Sequence, residues 1–406
     1  MIRTTRLTFP GSRGASLDAR YDHPVGPVRA TALFAHCFTC SKDLAAASRV
    51  SRALAHRGFG VLRFDFTGLG HSEGEFENTD FSSNVDDLVA AADHLREGEG
   101  APALLIGHSL GGTAVLAAAG RIPEARAVAT LAAPSSPDHV KGLLTGTLDA
   151  IEREGSAEVE IAGRRFRIRR EMIDDLDAHP LAERIASLRK AILVLHAPMD
   201  ATVGIDNATA IFLAAKHPKS FVSLDGADHL LTRRADAEYV ADVVASWASR
   251  YLPETRLEAR RTEPGTVRVE ESGHGRYAND IVAGAHVLRA DEPKSVGGDD
   301  SGPTPYGLLS AALGACTTMT IRMYAERKGW PLERVSASVA HEKIHAEDCE
   351  ACETGKGKID RFDRVLRIEG DALDAEQRAR LLEIADRCPV HRTLHGEVEI
   401  RTRVEG

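Results

Sequence analysis

The stretch from Ala103 to Ala119 constrains this chain more than any other. Ala103-Leu104-Leu105-Ile106 is short, apolar and strand-like. Gly107-His108-Ser109-Leu110-Gly111 follows, and Gly112 to Ala119 is a helix former. A strand, a G-x-S-x-G turn and a helix in that order describe a sharp strand-to-helix turn with an exposed serine. The flanking glycines are needed because a Cβ there would collide with the neighbouring strand and helix. The amide of Leu110 opens the helix, where developing negative charge is stabilised.

A serine hydroxyl becomes a nucleophile when a base takes its proton and a carboxylate orients that base. Candidates for both lie downstream. Ala191 to His196 reads as a buried strand and runs into Ala197-Pro198-Met199-Asp200. Ser220 to Leu224 reads as another strand and ends in Asp225-Gly226-Ala227-Asp228-His229. The order Ser109, Asp200, His229 puts each group just after a strand, at one edge of a parallel sheet. Asp225 is the alternative acid. Asp228 adjoins His229 and is poorly placed to bind its Nδ1–H.

On these residues, the chain from 1 to 253 resembles an alpha/beta-hydrolase of the esterase, lipase and peptidase type. Ala32 to His36 leads into Cys37-Phe38-Thr39, where that family carries its oxyanion loop. The resemblance implies a second oxyanion amide from Cys37 or Phe38, beside that of Leu110. Asp65 to Ser72 is similar to the family's structural D-x-x-G-x-G-x-S turn. The irregular stretch 136–190 falls where the family places a cap over the pocket. Helical patterns cover 48–57, 83–96 and 239–251, the last with Trp247 on its apolar face.

A chain of 406 residues has room for a second core. After a charged linker at 254–262, the pattern changes. Short strands are expected at 267–270, 276–278 and 281–288, then a long helix from Tyr306 to Lys328. Strands at 335–343 and 358–368, a helix at 374–387 and a last strand at 396–403 complete an α+β pattern over 263–406. The fold class is thus α/β, a doubly wound, mostly parallel sheet with a cap, followed by a smaller α+β domain.

Cys316 lies inside the long helix, and its spacing with Leu309, Leu313 and Met323 predicts a buried face. Cys388 ends the next helix. On spacing alone, two packed core cysteines are the simplest reading. Gly302-Pro303-Thr304-Pro305-Tyr306, through Ala315-Cys316 to Cys388-Pro389, resembles the OsmC/Ohr family of thiol peroxidases. The resemblance implies Cys316 as the peroxidatic thiolate, Cys388 as its resolving partner and Arg276 as the activating cation. It also implies organic hydroperoxide and a thiol reductant as partners, and an intertwined homodimer. Tyr306 stands where that family carries an acidic residue, and Glu292 is a substitute. The alternative is a non-catalytic dimerisation or binding module.

Two further cysteine patterns remain. His341, His345, Cys349 and Cys352 could hold zinc, although a solvated loop tip is the simpler reading. Cys37 and Cys40 read as two packed thiols, with a regulatory disulfide as the alternative. Net charge is −9 with no basic stripe, which argues against nucleic acid. No apolar run approaches a membrane span and the start of the chain lacks a signal core. The expectation is a soluble, cytoplasmic serine esterase for small-molecule esters, with no cofactor. Peptidase or thioesterase activity is the alternative within the class.

Overall fold

The computed structural model describes residues 2–24, 28–37, 40–144, 146–161, 164–252, 262–272, 275–345 and 358–404. Two compact units divide the chain. One holds Met1–Arg268 with Val282–Leu288, and the other holds Val269–Ile281 with Arg289–Gly406. Most of the linker expected at 254–262 lies outside the described residues.

The first unit is built on an eight-stranded sheet. Its strands are β1 (Thr4–Pro10), β2 (Ser16–Asp22), β3 (Ala30–Ala35), β4 (Phe59–Phe64), β5 (Pro102–His108), β6 (Ala127–Leu131), β9 (Ala191–His196) and β10 (Lys219–Ser223). They lie in the order β1-β2-β4-β3-β5-β6-β9-β10. The β1–β2 and β2–β4 pairs are antiparallel and the remaining pairs are parallel.

Central strands are apolar throughout because both faces are covered. Leu33, Leu105, Val128 and Ile192 enter the core on one face. Ala32, Leu104, Ala127 and Ala191, one position earlier on each strand, enter the core on the other. Helices α2 (Phe81–Glu97), α3 (Leu110–Ala118) and α7 (Ile205–Ala214) pack on the first face. Helices α1 (Ala45–Ala55) and α8 (Arg234–Ala248) pack on the second. Asp80 caps α2 in a reciprocal capping box with Ser83.

The stretch expected to form a cap does fold as an insertion between β6 and β9. It holds a 3₁₀ segment (Pro137–Leu144), α4 (Leu148–Glu154), the hairpin of β7 (Ser156–Ile161) and β8 (Arg164–Arg169), α5 (Arg170–Asp177) and α6 (Leu181–Ser187). Phe166 packs edge-on against Phe76 at 5.0 Å. Asp175 accepts hydrogen bonds from the amide (2.8 Å) and hydroxyl (2.6 Å) of Ser82.

Outside that sheet lie β11 (Val267–Glu271), β12 (Asn279–Ala283) and β13 (His286–Ala290), which form a three-stranded sheet. The single strand expected over 281–288 is instead two strands, broken at Gly284, whose φ of 62° is open to glycine. The short strand expected at 276–278 does not form. Helix α9 (Pro305–Lys328) packs on β14 (Arg334–His345), which pairs with β15 (Lys358–Glu369). Thr304 caps α9 and Gly329, at φ 64°, ends it. Helices α10 (Ala375–Ala385) and α11 (Pro389–His395) follow.

The last strand expected at 396–403 is absent. Residues 396–404 are extended coil, with Val398, Ile400 and Val404 exposed. A strand forms only where a neighbour offers its backbone, and none does so here among the described residues. The helix face also differs from expectation. Leu313, Gly314, Thr317, Ile321 and Ala325 are buried, Cys316 is half-buried, and Met323 is 70% exposed.

Candidate active site

The first unit brings Ser109, His229 and Asp200 together. Ser109 follows β5 directly and has φ 53°, a left-handed conformation that a side chain rarely adopts. The surrounding chain enforces it. The Ser109 amide donates to the Leu131 carbonyl at 2.8 Å, and its carbonyl accepts from the Gly112 amide at 2.8 Å. A Cβ on Gly107 would meet the Gly111 carbonyl at 2.2 Å. One on Gly111 would meet the carbonyls of His36 and Ala35 at 2.4 and 2.5 Å. The turn is therefore possible only with those glycines.

Ser109 Oγ donates to His229 Nε2 at 3.1 Å, and His229 Nδ1 donates to Asp200 Oδ2 at 2.8 Å. The Asp200 side chain is fully buried. Burial alone would raise its carboxyl. Hydrogen bonds from His229 and from the amides of Val203 and Thr202 outweigh burial and hold it below the ordinary value. Asp225 is exposed and accepts from the Ser223 hydroxyl. Asp228 accepts from the amides of Leu230 and Thr232. Neither acid takes the Asp200 position.

Leu110 is the first residue of α3, so its amide belongs to the free first turn. Cys37 is buried and lines a small apolar cavity with Leu110, Gly111, Phe66, Leu69 and Ala114. Phe38 lies outside the described residues. The expected pair of packed thiols is corrected here: Cys37 and Cys40 are joined as a disulfide.

The thiols of the second unit are arranged differently from expectation. Cys388 is fully buried and caps α11, its sulfur accepting from the His391 amide at 3.3 Å. It lies 3.6 Å from the hydroxyl of Thr317, the residue after Cys316. Arg276 is exposed, with its guanidinium 5.1 Å over the Tyr277 ring. The guanidinium beside Cys316's neighbour Thr317 is instead that of Arg364, which donates to Thr317 Oγ at 2.7 Å and to Asp386 at 2.6 Å. Tyr306 stacks on His341 at 4.0 Å. His341 Nε2 in turn donates to Asp360 at 2.8 Å. His345 is exposed, and Cys349 and Cys352 lie outside the described residues.

Comparison with known proteins agrees with this architecture. Residues 26–184 match the model of the serine aminopeptidase S33 family, and residues 298–403 match that of OsmC-like proteins. The esterase domain of a Rhodothermus marinus protein is 47% identical, with a TM-score of 0.51. The match covers 62% of this chain and all of that domain. The chain is an alpha/beta-hydrolase joined to an OsmC-like domain. The mouse alpha/beta hydrolase domain-containing protein 10 has the same hydrolase fold, at 21% identity and a TM-score of 0.52, over 61% of this chain and 99% of that one. A mouse mitochondrial palmitoyl-protein thioesterase, ABHD10, is 27% identical over 44% of this chain. The match spans 62% of that relative's length.

The alpha/beta-hydrolase site also uses residues that spacing did not reveal. His108, inside the G-x-S-x-G turn, is buried, and its Nε2 donates to the carbonyl of His229 at 2.7 Å. That bond requires a proton on Nε2. Burial, then the nearby His229, pushes the His108 pKa down to about 4. Lys42 is a second such residue. It is fully buried, with Nζ 2.6 Å from both Asp18 and Asp65, while its amide donates to Asp65 at 2.6 Å. This pins the segment after Cys40 to the end of β4. A histidine inside a G-x-S turn, or a lysine two residues after a C-x-x-C pattern, carries no sign of burial, so sequence alone is silent.

His108 makes a pH prediction. Its folded pKa is about 4, below the ordinary histidine value of ~6.5. Between those values the unfolded chain takes up a proton that the folded one refuses. Stability is thus full above about pH 6.5 and falls as pH drops toward about 4. Burial lowers His36 in the same direction. The melting temperature should fall across that window, and His108→Gln should make the fall shallower. Gln retains a donor for the His229 carbonyl, so hydrolysis should survive it better than His108→Leu. A melting temperature equally acid-sensitive in wild type and His108→Gln contradicts the assignment.

Proposed function

We propose that the chain is a serine esterase for small carboxylic esters, acting through an acyl-enzyme. The hydrogen-bonded line from Ser109 through His229 to Asp200 carries this reading. His229 takes the Ser109 proton as Oγ attacks the ester carbonyl, then gives it to the leaving alcohol. Asp200 holds His229 in the Nδ1–H form and stabilises the imidazolium. Amides of Leu110 and the Cys37–Phe38 loop receive the negative oxygen. Water then repeats the sequence on the acyl group and frees Ser109. The esterase title of the Rhodothermus domain favours the same class.

A thioester would be attacked identically, and the thioesterase name of the mouse relative favours that as second reading. Ser109→Ala should lower hydrolysis of p-nitrophenyl acetate by about 10⁴-fold or more if the triad acts as a unit. A mutant near the wild-type rate contradicts the assignment. Faster turnover of an S-acyl substrate than of the matched oxygen ester would move the reading to a thioesterase.

The OsmC-like domain, read as 263–406, is proposed as a thiol peroxidase. The Cys316 thiolate attacks the distal peroxide oxygen, giving a sulfenic acid and, after protonation, an alcohol. The Cys388 thiol condenses with it, forming a disulfide and releasing water, and an external thiol restores both. Cys388 beside Thr317 supports this pairing. Exposed Met319, Met323, Val365, Val398, Ile400 and Val404 support a homodimer that covers them. In such a dimer Arg276 could serve the partner's thiol, since it is turned to solvent within one chain. Cumene hydroperoxide should produce a Cys316–Cys388 disulfide, seen by mass spectrometry, and Cys316→Ser should abolish peroxide consumption. A Cys316 that stays reduced under excess peroxide leaves the domain as a dimerisation module.

A further inference from the structure

The oxyanion loop of the hydrolase is held at three points. Its entry is the end of β3, where the carbonyls of Ala35 and His36 lie against Gly111 of the serine turn. Its exit is Lys42, whose amide and ammonium bind Asp65 at 2.6 Å. Between the two, the Cys37–Cys40 disulfide closes the loop, aided by the Cys40 amide donating to the Cys37 carbonyl at 3.2 Å. That same carbonyl accepts from His36 Nδ1 at 2.8 Å. The β-strand and the buried ion pairs are insensitive to redox state. The disulfide is not.

We infer that Cys37 and Cys40 form a thiol–disulfide exchange site, and that a low-molecular-weight dithiol switches the hydrolase down by opening the oxyanion loop. The inference rests on the serine-hydrolase reading, because it concerns the amides that would hold the oxyanion. Cys40 is half-buried while Cys37 is 4% exposed, so the incoming thiolate attacks the Cys40 sulfur. The S–S bond breaks, and Cys37 leaves as a thiolate and takes a proton. The second thiol of the reductant then attacks the mixed disulfide and releases Cys40. Two electrons and two protons pass to the protein, and the reductant becomes a cyclic disulfide.

The consequence follows from how an oxyanion hole works. Its donors lower the barrier only if they are fixed before charge develops. Removing one donor outright costs roughly 10²–10³ in kcat. Reduction leaves the anchors at Ala35, His36 and Lys42 in place and removes only the link between Cys37 and Cys40, so the expected loss is smaller, about 10- to 100-fold. Oxyanion donors act on charge that develops in the transition state more than on the bound ester, so kcat should fall while KM changes little. Cys37 borders the small apolar cavity beside Leu110, which places the switch next to the nucleophile.

The test uses the full chain, purified without reductant. Kinetics on p-nitrophenyl acetate are measured before and after dithiothreitol, and again after reoxidation with glutathione disulfide. Differential alkylation and mass spectrometry report the state of Cys37 and Cys40 at each stage. Reduction should lower kcat about 10-fold or more with KM nearly constant, and reoxidation should restore it. Cys40→Ser should show the lower kcat from the start and ignore dithiothreitol, which separates this pair from the other thiols. The proposal is overturned if the pair is alkylated yet kcat holds within twofold. It is also overturned if the pair resists dithiothreitol, or if Cys40→Ser matches the oxidised wild type. A rate that is Ser109-dependent but blind to reductant removes the switch and leaves the esterase reading intact. Absence of any Ser109-dependent rate removes both.

Discussion

The left-handed backbone of Ser109 is the constraint on which the rest of the first unit turns. At φ 53° the serine leaves β5 and begins α3 with no intervening residue. Conformations of this kind cost of order 1–3 kcal/mol and persist only where the surroundings over-determine them. Here the surroundings are the Leu131 carbonyl, the bare Cα atoms of Gly107, Gly111 and Gly112, and the chain end of β3. The same contact that permits the turn, Gly111 against Ala35 and His36, also brings the Cys37 loop beside it. Strain at the serine and placement of Cys37 are thus one packing event.

The electrostatics are layered around that turn. Asp200 is buried yet kept ionised by His229 and two backbone amides. His108 is buried and kept neutral, so it can hold the His229 carbonyl without placing a second positive charge beside the imidazole. Lys42 is buried and charged, balanced by Asp18 and Asp65. Three buried ionisable groups meet three different fates because their partners differ. Breaking such pairs on one side leaves an uncompensated charge, which is more costly than never having built them.

Much of this was legible in the chain. The parallel strands announce themselves as apolar runs because both faces are covered, and the serine turn is marked by its glycines. The insertion between β6 and β9 and the long cysteine helix are also readable. What failed depended on partners that spacing does not encode. Nothing in His108 or Lys42 signals a buried role. Cys37 and Cys40 give no sign of whether their sulfurs are joined. Cys316 was assigned to the buried face of α9, where the structure places Thr317 and Ile321 instead. The strand expected at 396–403 alternates correctly at Val398, Ile400 and Thr402, yet lies exposed with no neighbouring strand among the described residues. Alternation reports the tendency to pair, and pairing needs a second backbone.

The central claim is that Ser109 is a base-activated nucleophile rather than a buried turn residue. A fluorophosphonate tests it directly, because only an activated serine displaces fluoride and keeps the phosphonyl group. After brief treatment of the full chain, peptide mapping should place a single adduct on the Ser109 peptide. Labelling should fall steeply in His229→Ala. Absence of an adduct on Ser109, or equal labelling with and without His229, would contradict the account.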